Sequence, residues 1–178
     1  LNATEDDSDG TVTVVTSNVE NGQTVTVALN GTNYTGTVSD NSTSVPIAAS
    51  GLQALTNGSS YTLTTNVSNA SVNAATENTG TSFTYDITAP TLAETTAVPS
   101  FTNDNSTQYT FSSSEGGTIS VGGSCSSDND TAVADNMTVS FAALADGTYS
   151  NCTITVTDNA SNSVTIDVNS FTIDTTAP

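Results

Sequence analysis

Three pairs of segments recur along the chain in the same order. Leu55-Thr-Asn-Gly-Ser-Ser-Tyr61 matches Leu144-Ala-Asp-Gly-Thr-Tyr149, and Val67-Ser-Asn-Ala-Ser-Val-Asn73 matches Val156-Thr-Asp-Asn-Ala-Ser-Asn162. Phe83-Thr-Tyr-Asp-Ile-Thr-Ala-Pro90 matches Phe171-Thr-Ile-Asp-Thr-Thr-Ala-Pro178. Each offset is 88 or 89 residues, about half of the 178 in the chain. Self-similarity at one period is the mark of a repeated structural unit. Two consecutive domains are therefore expected, 1–90 and 91–178, joined at an Asp-x-Thr-Ala-Pro linker that ends at Pro90. Pro178 closes a second such linker. A unit of this size buries only about 60–70% of the surface its unfolded chain exposes, so each core must be modest.

The local pattern within each copy has period two. Thr11-Val-Thr-Val14, Thr24-Val-Thr-Val27, Tyr61-Thr-Leu-Thr64 and Thr118-Ile-Ser-Val121 alternate polar with apolar, as do Met137-Thr-Val-Ser-Phe141, Cys152-Thr-Ile-Thr-Val156 and Phe171-Thr-Ile-Asp174. Strands with one dry and one wet face read this way. Threonine suits the wet face because it is β-branched and polar. Asn-Gly at Asn21, Asn30 and Asn57, Gly-Gly at Gly116 and Gly122, and Asp146-Gly147 supply turns. No sustained helical stripe exists; the run from Ile47 to Leu55 has room for one helical turn. The fold class is all-β.

The charge excludes more than it suggests. The chain has 18 Asp and Glu and no Lys, Arg or His, a formal net charge of −18. Binding of nucleic-acid phosphates and attraction to an anionic membrane both need cations it lacks. Catalytic triads, Cys-His pairs and Schiff-base lysines are impossible. Carboxylates alone place no convincing acid/base pair, so no enzyme is expected. Scarce large apolar residues with a high net charge also describe a disordered stalk, but the regular alternation argues for a folded core. No run of 18 apolar residues is present for a membrane span, and none resembles a signal peptide. The start at Leu1 reads as a piece of a longer secreted chain.

About seven short strands in some 90 residues suggest an immunoglobulin-like sandwich, with Tyr61 and Tyr149 placed for tyrosine corners. The whole chain resembles bacterial Ig-like repeats, which occur in tandem in large extracellular adhesins and surface fibres. The motifs that carry the resemblance are Leu-x-[Asp/Asn]-Gly…Tyr, Thr157-Asp-Asn-Ala-Ser-Asn162 and Phe-Thr-x-Asp-x-Thr-Ala-Pro, in order and twice over. The resemblance implies two tandem Ig-like β-sandwich domains and a non-enzymatic spacer role at the cell surface, with neighbouring repeats of the same longer chain as partners. The alternative is a subunit of a self-assembling extracellular filament, joined to like chains by sheet-edge or donor-strand contacts. A carbohydrate-binding module is a weaker fit, since there is no Trp and only five Tyr and five Phe. Lys–Asn isopeptide staples, used by some pilus domains, are impossible without Lys. Asn-x-Ser/Thr triplets recur, as at Asn33, Asn66 and Asn151, and glycosylation would depend on the source organism.

Both cysteines lie in the second repeat. In an Ig-like sandwich Cys125, after the third strand, and Cys152, at the start of the sixth, belong to antiparallel neighbours. A disulfide there is expected, with a pair of free buried thiols as the alternative.

Most carboxylates read as a solvated surface, but some converge. In the same sandwich the loop holding Glu115 and the loop holding Asp158 and Asn162 share the pole where the chain enters. Asp86 sits in the linker arriving there. Hard oxygen donors suit calcium rather than zinc. Members of the family with junction calcium use a linker Asp and an Asp-x-x-Gly-Asn loop. Asp86, Asp158 and Asn162 match those positions, Glu115 adds a carboxylate, and Ser161 replaces the Gly. The first repeat departs further, with Asn69 in the Asp place, Val72 in the Gly place, and Glu20 and Asn73 beside them. The acidic run Glu5-Asp-Asp-Ser-Asp9 is either a further source of ligands or a plain loop. A polar, turn-forming loop without any ion is the competing reading, and no EF-hand spacing occurs.

Overall fold

A computed structural model describes all 178 residues. The protein is all-β apart from one helical turn, and it divides into two compact units, Leu1–Thr88 and Ala89–Pro178.

The first unit contains β1 (Gly10–Val15), β2 (Thr24–Leu29), β3 (Thr32–Thr37), β4 (Ser42–Ile47), α1 (Ala49–Leu52), β5 (Ser59–Val67) and β6 (Asn78–Tyr85). Antiparallel β1 and β4 form one sheet, and β3-β2-β5-β6 form the other. Alternation decides what lies inside: Val25, Val27 and Leu29 of β2 are buried, as are Val45 and Ile47 of β4. Asn30 and Gly31 both have positive φ, 48° and 78°, and join β2 to β3 as a two-residue hairpin with Leu29 opposite Thr32. That is the primed turn Asn-Gly favours. The next hairpin needs the same backbone, and Asp40 and Asn41 supply it at φ 51° and 62° without any glycine. Asp and Asn tolerate this region better than other side chains.

The acidic run Glu5–Asp9 is a bracket inside the first unit. Asp9 Oδ1 accepts the Ala49 N–H at 2.9 Å, and Asp7 accepts from the Gln53 amide at 3.2 Å. Both bonds hold the start and end of α1. Asp6 is buried and accepts a 2.6 Å bond from the Tyr85 hydroxyl. That bond, with burial, pushes the Tyr85 phenol from its ordinary 10 up to about 12.

The second unit contains β7 (Leu92–Thr96), β8 (Phe101–Thr102), β9 (Gln108–Ser113), β10 (Gly117–Gly122), β11 (Thr131–Ala132), β12 (Asp135–Ser140), β13 (Gly147–Tyr149), β14 (Thr153–Thr157), β15 (Ser163–Asp167) and β16 (Phe171–Ile173). Its sheets run β12-β9-β7, β11-β10-β14-β15 and β13-β16-β8. One core joins Tyr109 and Phe111 of β9 and Val139 of β12 to Ile119, Ile154 and Val156 of the opposing sheet. The unit has four more strands than its neighbour: two long strands are interrupted, and β7 and β8 precede the counterpart of β1. β5 is continuous, whereas its counterpart breaks into β13 and β14 at Ser150–Cys152. β6 has its counterpart in β15 and β16, which part where the Asn169 side chain turns to the Val98 backbone, accepting its N–H at 3.0 Å and donating to its carbonyl at 2.8 Å.

Cys125 and Cys152 form a disulfide across antiparallel β10 and β14, with Cα atoms 5.3 Å apart. The 27-residue separation corresponds to about 3–4 kcal/mol of lost unfolded-chain entropy. Both corner tyrosines return to the backbone just upstream. Tyr149 donates to the Ala145 carbonyl at 2.9 Å, and Tyr61 accepts the Thr56 N–H at 2.7 Å.

Tyr85→Phe is expected to cost the first unit about 1–3 kcal/mol, because buried Asp6 loses its donor. The sign with pH follows from the raised phenol. Its stabilisation is complete below pH 10 and disappears as pH climbs through about 12. Denaturant titrations of both proteins between pH 7 and 12 check this: the gap should close at the alkaline end.

Candidate functional site

The second unit concentrates polar groups where the β9–β10 and β14–β15 loops meet. Gly117 makes the approach possible. A Cβ there would overlap the Thr157 carbonyl oxygen and touch Asp158 Cα. The neighbouring Glu115 is thereby set beside Asp158, their nearest carboxylate oxygens lying within 4.8 Å.

Asp158 is only 7% exposed and organises its loop. Its Oδ1 accepts N–H bonds from Ala160 at 2.8 Å and Asn162 at 2.9 Å, and its Oδ2 accepts the Asn162 side-chain N–H at 2.9 Å. The Asp158 N–H donates to the Asn162 carbonyl at 2.9 Å, closing the turn. Ser161, in the glycine place of the sequence motif, stands at φ 74°. The glycine preference is thus a requirement for left-handed backbone.

The first unit repeats the backbone bonds of this loop. Asn69 Oδ1 accepts from the Ser71 and Asn73 N–H groups at 3.0 and 2.9 Å, and the Asn69 N–H donates to the Asn73 carbonyl at 3.1 Å. Val72 holds the left-handed position at φ 65° with 83% of its surface exposed. Glu20, from the loop equivalent to that of Glu115, accepts the Ala70 N–H at 3.0 Å. That bond holds its carboxyl below the ordinary 4.5. One carboxylate and a neutral Asn therefore stand where the second unit has two carboxylates.

The chemistry differs accordingly. Two carboxylates at this separation repel by about 1 kcal/mol in bulk water and roughly 3–4 at an effective dielectric of 20. No ammonium, guanidinium or imidazole side chain exists to offset it. Glu115, Asp158 and Asn162 present hard oxygens, the donor set of a calcium site rather than a zinc site. Asp86 belongs to the first unit, immediately after β6. It is engaged locally, its Oδ1 accepting the Thr88 N–H at 3.0 Å.

A second repeated constellation was not singled out from the sequence. Asp146 Oδ1 accepts from the Thr175 N–H at 3.0 Å and the Thr175 hydroxyl at 2.7 Å, while Oδ2 accepts the Thr176 hydroxyl at 3.0 Å. These bonds hold the Asp146 carboxyl below its ordinary 3.8. In the first unit Asn57 plays the same part, accepting the Ile87 N–H at 2.9 Å and donating to the Thr88 hydroxyl at 2.6 Å. The Asx residue of the Leu-x-[Asp/Asn]-Gly motif thus grips the Asp-x-Thr stretch of its own unit. The signal was present as the pairing of those two motifs at a fixed separation.

No family model and no curated protein matches the chain. Solved structures do resemble it. The fibronectin(III)-like modules of CbhA from Clostridium thermocellum superpose with a TM-score of 0.58 at 14% identity, over 94% of this chain and 86% of that one. A Ca2+-stabilised adhesin with which an Antarctic bacterium binds ice gives a TM-score of 0.47 at 25% identity over 99% of this chain, which spans 46% of that one. A 1.5-MDa bacterial ice-binding adhesin, described for its host cell surface retention, gives 0.47 at 19% identity over 99% of this chain and 61% of that one. The fibronectin-like match supports the all-β fold of several sheets.

The strained left-handed valine can be tested directly. Val72→Gly is expected to raise the stability of the first unit by about 1 kcal/mol, since the backbone strain goes and no packed side chain is lost. A lower midpoint in a thermal melt would contradict the assignment of strain.

Proposed function

We propose that the chain is a non-enzymatic spacer, a pair of tandem Ig-like domains from an extracellular adhesin stalk or surface fibre. The observation that carries this reading is the grip on the exit segment. In each unit one Asx side chain ties the Asp-x-Thr stretch to the β-structure through three or fewer short bonds, leaving Ala-Pro as the only ungripped part of the motif. Proline fixes φ and restricts its predecessor, so little freedom is left there. A connection built this way transmits tension and limits bending. The disulfide fits an oxidising compartment. Catalysis receives no support, for the carboxylates have no imidazole or amine to work with.

Pulling the chain from its two ends checks the proposal. Two separate unfolding events are expected. The disulfide withholds 27 residues from the extension, so the second unit's release is shorter by roughly 90 Å. Reduction should restore that length. A single event, or smooth extension without a force peak, would sink the reading.

We also propose that the second unit's oxygen cluster binds a structural calcium ion through Glu115, Asp158 and Asn162, with Asp86 as the linker ligand that the sequence assigns. The crowding of two carboxylates without a countercharge favours it. Calcium should raise the melting midpoint of the second unit, chelator should reverse the rise, and Glu115→Gln should remove most of it. An identical midpoint with calcium and with chelator would rule the ion out.

A further inference from the structure

The dipeptide Asn-Gly stands at three turns of the first unit, Asn21-Gly22, Asn30-Gly31 and Asn57-Gly58. An asparagine followed by glycine can close on itself. The glycine nitrogen reaches the side-chain carbonyl carbon through a succinimide ring, and glycine has no side chain to obstruct the approach. All three glycines have positive φ, at 90°, 78° and 77°, and a Cβ added to any of them would meet nothing within 4 Å. Backbone shape and crowding at the glycine are therefore alike. The three pairs differ in how the two reacting groups are held.

At Asn21 both groups are tied. The side-chain oxygen accepts the Asp40 N–H at 2.8 Å, the side-chain nitrogen donates to the Asp40 carboxylate at 3.4 Å, and the Gly22 N–H donates to the Val38 carbonyl at 2.9 Å. Asn57 is tied in the same way. Its side chain is bonded to Ile87 and Thr88, and the Gly58 N–H donates to the Tyr85 carbonyl at 2.8 Å. Asn30 is different. It sits with Gly31 at the tip of the β2–β3 hairpin, where both are exposed. Neither the Asn30 side chain nor the Gly31 N–H makes a hydrogen bond within the protein. Pairing of Leu29 with Thr32 closes the hairpin without engaging the two tip residues.

We propose that Asn30 is a site of spontaneous covalent modification, and that hydrogen bonding withholds the same chemistry from Asn21 and Asn57. The Gly31 nitrogen gives its proton to solvent base and attacks Asn30 Cγ. The new N–C bond closes the succinimide, the bond from Cγ to the amide nitrogen breaks, and that nitrogen leaves as ammonia with a proton from solvent. Water then opens the ring at either carbonyl, giving aspartate or its β-linked isomer. Water is consumed and ammonia released, and no oxidant or reductant is needed. The product adds a carboxylate to a chain without cationic side chains. Its β-linked form also adds a methylene to a two-residue turn whose geometry sets the β2–β3 register. At Asn21 and Asn57 the ring can close only after bonds at the side chain and at the glycine nitrogen have broken. Two or more bonds of ordinary net strength slow the step by about tenfold or more. This chemistry is independent of any spacer role.

The test is incubation of the 178-residue chain at mildly alkaline pH, in native buffer and in concentrated guanidinium, with pepsin digestion and mass spectrometry at intervals. In the folded chain the Asn30 peptide should gain the mass of amide-to-acid conversion, preceded by a species that has lost ammonia. The Asn21 and Asn57 peptides should lag by about tenfold or more. In guanidinium all three should convert at comparable rates. Conversion at Asn21 or Asn57 as fast as at Asn30 in the folded chain would overturn the proposal. So would an unchanged Asn30, or the same ranking persisting in guanidinium.

Discussion

Every carboxylate in this protein must be satisfied without a cationic side chain, and much of the fold's organisation follows from that. The charges settle on neutral donors instead. Asp6 takes a phenol, Asp158 takes two backbone N–H groups and an amide, Asp146 takes a backbone N–H and two hydroxyls, and Glu20 takes a backbone N–H. Hydrogen bonds to a charged acceptor contribute more than neutral ones and are directional. Acid groups therefore appear at loop ends and chain exits, where free N–H groups are available. The wet sheet faces solve the same problem differently. Thr110–Thr138, Thr148–Thr172 and Thr155–Thr165 pair hydroxyl to hydroxyl across neighbouring strands, at 2.8, 3.0 and 2.7 Å, where other proteins place ion pairs.

Seven of the sixteen strands, β1, β2, β5, β10, β12, β14 and β16, were legible from their alternation, whereas β6 and β7 carry no such pattern. The Asn30-Gly31 hairpin and the turn at α1 could be read locally, and the disulfide followed from where the cysteines fall relative to β10 and β14. What escaped has physical reasons. Asp40-Asn41 makes a primed hairpin without glycine, so its dipeptide carries a weaker signal than Asn-Gly. The breaks between β13 and β14 and between β15 and β16 coincide with Cys152 of the disulfide and with the Asn169–Val98 contact, both of them tertiary.

The candidate site shows the same division. Asp158, Asn162 and Glu115 could be placed together because loops at one end of a sandwich are neighbours. The loop's internal design was only half visible. Ser161 and Val72 stand where the motif has glycine, yet both positions keep the left-handed backbone. Asn69 keeps the bonds that Asp158 Oδ1 accepts from the backbone, and lacks the charge and the second carboxylate oxygen that takes the Asn162 side chain. The scaffold of the loop is thus common to both units, and the capacity to attract a cation is not. The acidic run at 5–9, open between a source of ligands and a plain loop, is a loop whose aspartates bond to Ala49, Gln53 and Tyr85.

The central claim is that each unit grips its own exit segment through one Asx side chain. Backbone 15N relaxation on the 178-residue chain tests it most directly. Ile87, Thr88, Thr175 and Thr176 should give order parameters near the 0.85 of rigid backbone, with Asn57→Ala releasing the first pair and Asp146→Ala the second. Values below about 0.6 at those four residues in the unaltered protein would contradict the account.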